Sequence, residues 1–186
     1  MTDYIIIGMV LHKPLTGYDI KKGVEMGVGN FVKTISHGSL YPALRKLAEK
    51  EFLTMKEEPE NGRMKKYYQA TVLGKAEFLK WLSSPVDIKA GSAVMLLRMY
   101  FIGELPQEIR EQIIDDYEIA IQKMFDDYKK IETQFKSIKN DRDYFEMSTL
   151  YYGLQTAQGM LHWLGHIKDQ KPFTEFIKEE NWTKRE

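Results

Sequence analysis

Cysteine is absent from this chain of 186 residues. That excludes disulfides, thiol nucleophiles and cysteine-ligated metals, and it fits a reducing cytoplasm. Long hydrophobic runs are missing too. The longest apolar stretch, Tyr4–Ile7 with its continuation to Leu11, is far shorter than the roughly 20 residues that span a bilayer, so no membrane partner is expected. The N-terminus lacks a basic region and a small-residue cleavage site, so no signal peptide is expected. No glycine-rich phosphate loop, nucleophile elbow or paired-carboxylate motif occurs, and no catalytic residue or cofactor is expected. Net charge is zero, with 27 basic and 27 acidic residues, which at first argues against a nucleic-acid partner.

What is present is globular in balance, with 43% hydrophobic and 29% charged residues. The charge is unevenly spread. Residues 1–84 hold 13 Lys/Arg and 9 Asp/Glu, a net of +4, and residues 85–186 hold 14 and 18, a net of −4. A basic head on an acidic body suits a DNA-facing domain with a separate partner domain; two surfaces of different composition would read the same way.

Ile5–Leu11 opens the head as a helical run and ends at Lys13-Pro14. Thr16 caps a helix from Gly17 to about Met26. Ser36 and Ser39 are candidate caps for the next helix, whose buried stripe is Leu40, Ala43, Leu44 and Leu47. Pro42 places its start near Ser36–Ser39, since a proline is tolerated where the helix has no backbone bond to lose. Phe52–Glu58 and Lys65–Ala70 read as strands around the turn Pro59-Glu60-Asn61-Gly62. Thr71 caps a further helix, and Ser83-Ser84-Pro85 closes it. Helix, helix, helix, hairpin, helix in a basic unit of this size suggests a winged helix-turn-helix.

The rest reads as all helix. Residues 86–103 form one candidate, and Pro106 opens another. That second helix carries Ile114, Tyr117, Ile121, Met124, Tyr128, Ile131, Phe135 and Ile138 in steps of three and four, a heptad stripe that needs a partner. Asn140-Asp141 breaks it. A last helix from about Tyr144 offers Met147, Leu150, Leu154, Ala157, Leu161 and Leu164. Two long antiparallel helices with facing stripes satisfy both patterns. The stripe is too apolar to leave in water, so Ile114, Tyr117, Ile121, Met124, Tyr128, Ile131, Phe135, Leu150, Leu154 and Leu161 are candidates for a homodimer as well as for the internal pair.

The segments Thr16-Gly17-Tyr18-Asp19, Ser36-His37-Gly38-Ser39-Leu40-Tyr41-Pro42-Ala43-Leu44, Gly62-Arg63, Lys66-Tyr67-Tyr68 and Thr71…Gly74 together resemble the PadR-type transcriptional regulators. Serine, three residues, then Leu-Tyr-Pro-x-Leu before a hairpin is the most specific of them. Ala70 departs from the pattern, since a larger apolar residue commonly precedes the capping threonine. The resemblance implies a mainly α protein with a small β-hairpin: a winged helix-turn-helix over residues 1–84, then a helical antiparallel dimerisation domain over residues 85–186, open to a ligand-responsive role. It further implies a dimeric repressor that reads double-stranded DNA at an inverted-repeat operator and that responds to a small aromatic or cationic effector.

On a helical wheel Ser39, Pro42, Arg45 and Lys46 face away from the leucine stripe, with Tyr41 on the flank. Hydroxyls there can reach base edges and the cations guanine or phosphate. Ser36 caps that helix, Arg63, Lys65 and Lys66 sit where a wing would meet the backbone, and Tyr18 is a candidate phosphate contact. A solvated helix face and an ordinary hairpin are the plain alternative. Tyr152 and Trp163 are candidate ligand contacts among the aromatics of the last helix, where core packing competes as their role; Phe31 lies in the head. His162 and His166 have the spacing of a metal-binding pair, but no glutamate lies between them and no third ligand is evident, so no metal is expected. Two other functions compete: a winged helix that binds only protein, and an enzyme concealed in the helical half. Specific DNA binding would reject the first, and ligand turnover would support the second.

Overall fold

The computed structural model describes residues 1–27, 36–60, 62–134 and 137–175, with the backbone alone at His37. Expectations placed on Phe31, on Asn61 in the turn and on Phe135 in the heptad stripe lie outside the described residues. The described elements are α1 (Thr2–Met9), β1 (Leu15–Thr16), α2 (Gly17–Met26), α3 (His37–Glu49), β2 (Leu53–Glu60), β3 (Arg63–Ala70), α4 (Val72–Leu82), α5 (Ser92–Phe101), α6 (Gln107–Gln134) and α7 (Asp141–Lys168). They form two compact units, Met1–Arg110 and Glu111 onward.

The first unit is a winged helix-turn-helix built on local signals that work as their chemistry requires. Thr16 and Asp19 close a reciprocal cap on α2: Asp19 N donates to Thr16 Oγ1 at 3.2 Å and Thr16 N to Asp19 Oδ2 at 3.3 Å. Ser36 caps α3 by accepting from Ser39 N at 3.3 Å. Pro42 is the sixth helical residue, in the second turn and not the first, so the Gly38 carbonyl loses its helical partner. Gly38 and Pro42 are both exposed, and water can take that bond. Leu40, Leu44 and Leu47 are completely buried, as the stripe requires, together with Ile5, Ile6 and Ile7 of α1.

The expected hairpin is one part of a three-stranded antiparallel sheet, in the order β1-β3-β2. The third strand has two residues, with Leu15 opposite Tyr68 and Thr16 opposite Tyr67. So short a strand has no periodicity to read. Ala70 holds its place through the backbone, its N donating to Val10 O at 3.1 Å. Gly62, at φ 77°, supplies the positive dihedral that the tight turn demands.

The helical candidate over residues 86–103 is shorter than expected. Asp87 caps a single 3-10 turn, Ile88–Ala90, and Gly91 at φ 90° interrupts the chain before α5. The first compact unit therefore runs past Ser84, because α5 is fastened to α4. Arg98, only 3% exposed, donates to Leu82 O at 2.9 Å, Ser84 O at 2.5 Å and Pro85 O at 3.3 Å. Phe101 packs edge-on against Phe78 with ring centroids 5.3 Å apart, and it lies over Gly8. The extension leaves the charge balance unchanged: residues 1–110 hold 16 Lys/Arg and 12 Asp/Glu, again +4.

In the second unit α6 and α7 run antiparallel. Lys168 meets Asp115 at 2.5 Å and Glu118 at 3.5 Å, Tyr128 lies against Gly153, and Tyr151 bonds Glu132. Rising numbers on one helix meet falling numbers on the other. α7 starts three residues before Tyr144, because Asn140 caps it by accepting from Asp143 N at 3.0 Å. Ile138 falls beyond the end of α6, so the stripe outlasts its helix.

Candidate nucleic-acid interface

The exposed face of α3 carries Ser39, Tyr41, Pro42, Arg45 and Lys46, opposite the buried leucines. Ser36 and Ser39 are partly committed to the cap, since Ser39 Oγ also donates to Ser36 O at 3.0 Å. Their hydroxyls keep acceptor capacity at the exposed start of the helix. Tyr41 is half exposed, and its ring lies against Gly17 at the start of α2. A Cβ at Gly17 would come 3.1 Å from the Tyr41 ring, so the absence of a side chain there lets the outer end of the tyrosine approach α2 closely. Tyr18 is 66% exposed on the next position.

The cations differ in how they are held. Lys46 Nζ pairs with Asp3 Oδ2 of α1 at 2.8 Å, which raises the lysine above its ordinary pKa through the hydrogen bond and the charge. On the wing, antiparallel register sets Glu60 opposite Arg63, Glu58 opposite Lys65 and Glu57 opposite Lys66. Lys65 is in contact with Glu60, and Lys66 Nζ lies 3.4 Å from Glu57. Tyr67 donates to Glu60 at 3.1 Å. Those two hydrogen bonds, the lysine's first, hold the Glu60 carboxyl below its ordinary range, and the same pairing raises Lys65. Among the described residues Arg45 and Arg63 are exposed and make no ion pair. The carboxylates Asp3, Glu57 and Glu60 were not among the candidate interface residues that the sequence singled out, Glu60 being read only as part of the turn. The register about the Asn-Gly turn would have found the two glutamates; nothing in the sequence links residue 3 to residue 46.

The second unit grades its heptad stripe from buried to exposed. Ile114, Tyr117, Ile121 and Leu154 are buried; Met124, Tyr128, Leu150 and Leu161 are half-buried; Ile131 is exposed. Apolar exposure gathers where α6 ends and α7 begins, at Ile131, Ile138, Tyr144, Phe145, Tyr151 and Tyr152. Tyr144 and Phe145 were missed because they sit beside the stripe and not in it. Tyr152 is 74% exposed and Trp163 half-buried. They share a side of α7 but stand 11 residues apart, about 16 Å along the axis, so one phenolic ring does not reach both. A groove of about 480 Å³ on this unit is lined by α6 residues, Glu118 to Lys130, and includes neither. His166 is buried beside Phe173 while His162 is exposed, so the two imidazoles do not share an environment. Among the described residues no helix is long and apolar enough to cross a membrane, and no three metal-ligating side chains gather.

Comparison with known proteins gives two family matches: residues 6–80 to the Transcriptional regulator PadR-like family, and residues 94–170 to Virulence activator alpha C-term. The chain is similar to the negative transcriptional regulator PadR of Bacillus subtilis (strain 168), 26% identical over 172 residues, 88% of this chain and 93% of that protein. Similar solved structures include Bacillus subtilis PadR with operator DNA, at 24% identity and TM-score 0.43, covering 90% of this chain and 96% of that one. The same protein with p-coumaric acid gives 24% identity and TM-score 0.41, with the same shares covered.

Proposed function

The chain belongs to the PadR-like family of transcriptional regulators, and from that premise we propose that it binds double-stranded DNA as a cytoplasmic homodimer and represses transcription until a small aromatic compound releases it. The observation that supports the DNA reading most is α3 itself. Three leucines bury one face, and the opposite face offers hydroxyls, Tyr41 and Arg45 to a groove. The wing brings Arg63, Lys65 and Lys66 to the adjacent backbone. The exposed apolar end of the α6–α7 pair supplies the second copy's contact, and two-fold symmetry sets two α3 helices on major grooves about 34 Å apart.

Selection from a random-sequence duplex library tests this. The expected product is an inverted repeat, protected symmetrically in a footprint. Arg45→Ala is expected to cost about 1–3 kcal/mol on that site and to relax base preference at one position in each half. Arg63→Ala should weaken all duplexes alike and flatten the salt dependence, because it removes a phosphate contact. Failure to enrich any sequence would reject the reading in favour of a protein-binding winged helix.

The effector is tested by tryptophan fluorescence, with p-coumaric acid and other phenolic acids as the first probes, given the relative that binds one. A ligand that lowers operator affinity about a hundredfold must prefer the DNA-free state by about 2.7 kcal/mol. Binding that leaves operator affinity unchanged would remove the switch from the proposal.

A further inference from the structure

The reading surface carries its own counter-charges. Lys46 is paired with Asp3, Lys65 with Glu60 and Lys66 with Glu57, and all six side chains stand at least partly in water. Exposed pairs of this kind contribute little to folding, a median of about 0–1 kcal/mol. Their position matters more than their strength. The three lysines are among those that α3 and the wing offer to phosphate, and the carboxylates lie within a Debye length of any duplex docked there, about 10 Å at ordinary salt.

We propose that Asp3, Glu57 and Glu60 form an anionic screen that suppresses sequence-independent binding to DNA and so sets the specificity of this interface. The inference rests on the DNA-binding reading above. In a loose, hydrated complex on random sequence, phosphate attraction supplies essentially all the affinity. Lysines already neutralised at short range offer it little, and their carboxylates repel the duplex. In the seated complex the recognition helix brings the surface into close contact, where a phosphate can replace a carboxylate and base contacts add to the gain. The screen therefore weakens the loose complex more than the seated one. Arg45, Arg63 and Lys56 of β2, which make no ion pair among the described residues, remain as uncompensated cations. Glu60 stays ionised throughout the neutral range, because its hydrogen bonds with Lys65 and Tyr67 favour the charged form.

The test uses the full chain with Asp3→Asn, Glu57→Gln and Glu60→Gln combined, and fluorescence anisotropy on two labelled duplexes. One is the site selected by the wild type; the other is a scrambled duplex of the same length. On the scrambled duplex the variant is expected to bind roughly tenfold tighter, with a salt slope steeper by about one to three units, and on the selected site to gain clearly less. A control variant, Asp126→Asn with Asp127→Asn and Glu146→Gln, removes the same charge from the second unit and should change neither. Unchanged scrambled-duplex affinity overturns the screen, as does equal tightening on both duplexes or equal tightening by the control. Circular dichroism melts confirm that each variant is folded. If the wild type selects no site at all, the DNA-binding reading fails, and that outcome is seen before any variant is made.

Discussion

Gly74→Ala is expected to destabilise the first unit by about 3 kcal/mol or more, a shift readily seen as a lower urea midpoint. A Cβ at residue 74 would lie 2.1 Å from the backbone oxygen of Phe52. No side-chain rotation relieves that contact, because both groups belong to main chain held from other directions. Thr71 N donates to Phe52 O at 3.0 Å, Thr71 Oγ1 donates to Glu51 O at 2.7 Å, and Gly74 N donates to Thr71 Oγ1 at 2.9 Å. The first turn of α4 is thereby locked onto the link between α3 and the wing. Relief must come from pushing α4 and β2 apart, which would disturb α3 and the hairpin together. Gly159→Ala is the contrasting change. Nothing lies within 4 Å of its Cβ position, and an exposed helical glycine should gain about 0.5–1 kcal/mol on becoming alanine. Equal midpoints for the two variants would show that α4 does not approach Phe52 this closely.

Arg98→Met should also cost about 3 kcal/mol, with a steep fall in melting temperature. The guanidinium is buried and donates to three carbonyls where α4 ends, at Leu82, Ser84 and Pro85. Leu82 O is one of the acceptors that α4 leaves unpaired at its C-terminus, where positive charge is also favoured by the helix dipole, and Ser84 O and Pro85 O belong to the chain that leaves it. Methionine fills a similar volume and leaves them without a donor. Arg98→Lys should recover only part of the loss, since an ammonium cannot match the planar fork that spans three oxygens. Removing the chain after Ser84 would delete Arg98 and Phe101 together and expose Phe78, so such a fragment is expected to be less stable than the intact first unit. If Arg98→Met melts with the wild type, water or another side chain already satisfies these carbonyls.

Much of the fold was legible along the chain because its signals are local. Thr16, Ser36 and Thr71 mark their helix starts, since a cap needs only a side chain and the amide three residues on, whereas Asn140 reads as a break and caps α7 three residues ahead of the expected start. The leucine stripe of α3 announced its buried face, and the heptad stripe of α6 its need for a partner. The two-residue β1 was not legible, because its strand character comes from pairing with Tyr67 and Tyr68, some fifty residues away. The helix expected over residues 86–103 was overextended, since apolar residues after Gly91 looked periodic from further upstream than the backbone permits.

The sequence by itself determined the fold class, the buried and exposed faces of α3 and the antiparallel logic of the second unit, because periodicity, caps and turns act over a few residues. Tertiary structure alone decided which charges are compensated. Nothing along the chain links Lys46 to Asp3, which α1 brings to 2.8 Å from it, or Arg98 to the end of α4, which buries it. A charge acts through space on whatever lies within a few ångströms, so its partner is a property of the folded chain and not of its neighbours in sequence.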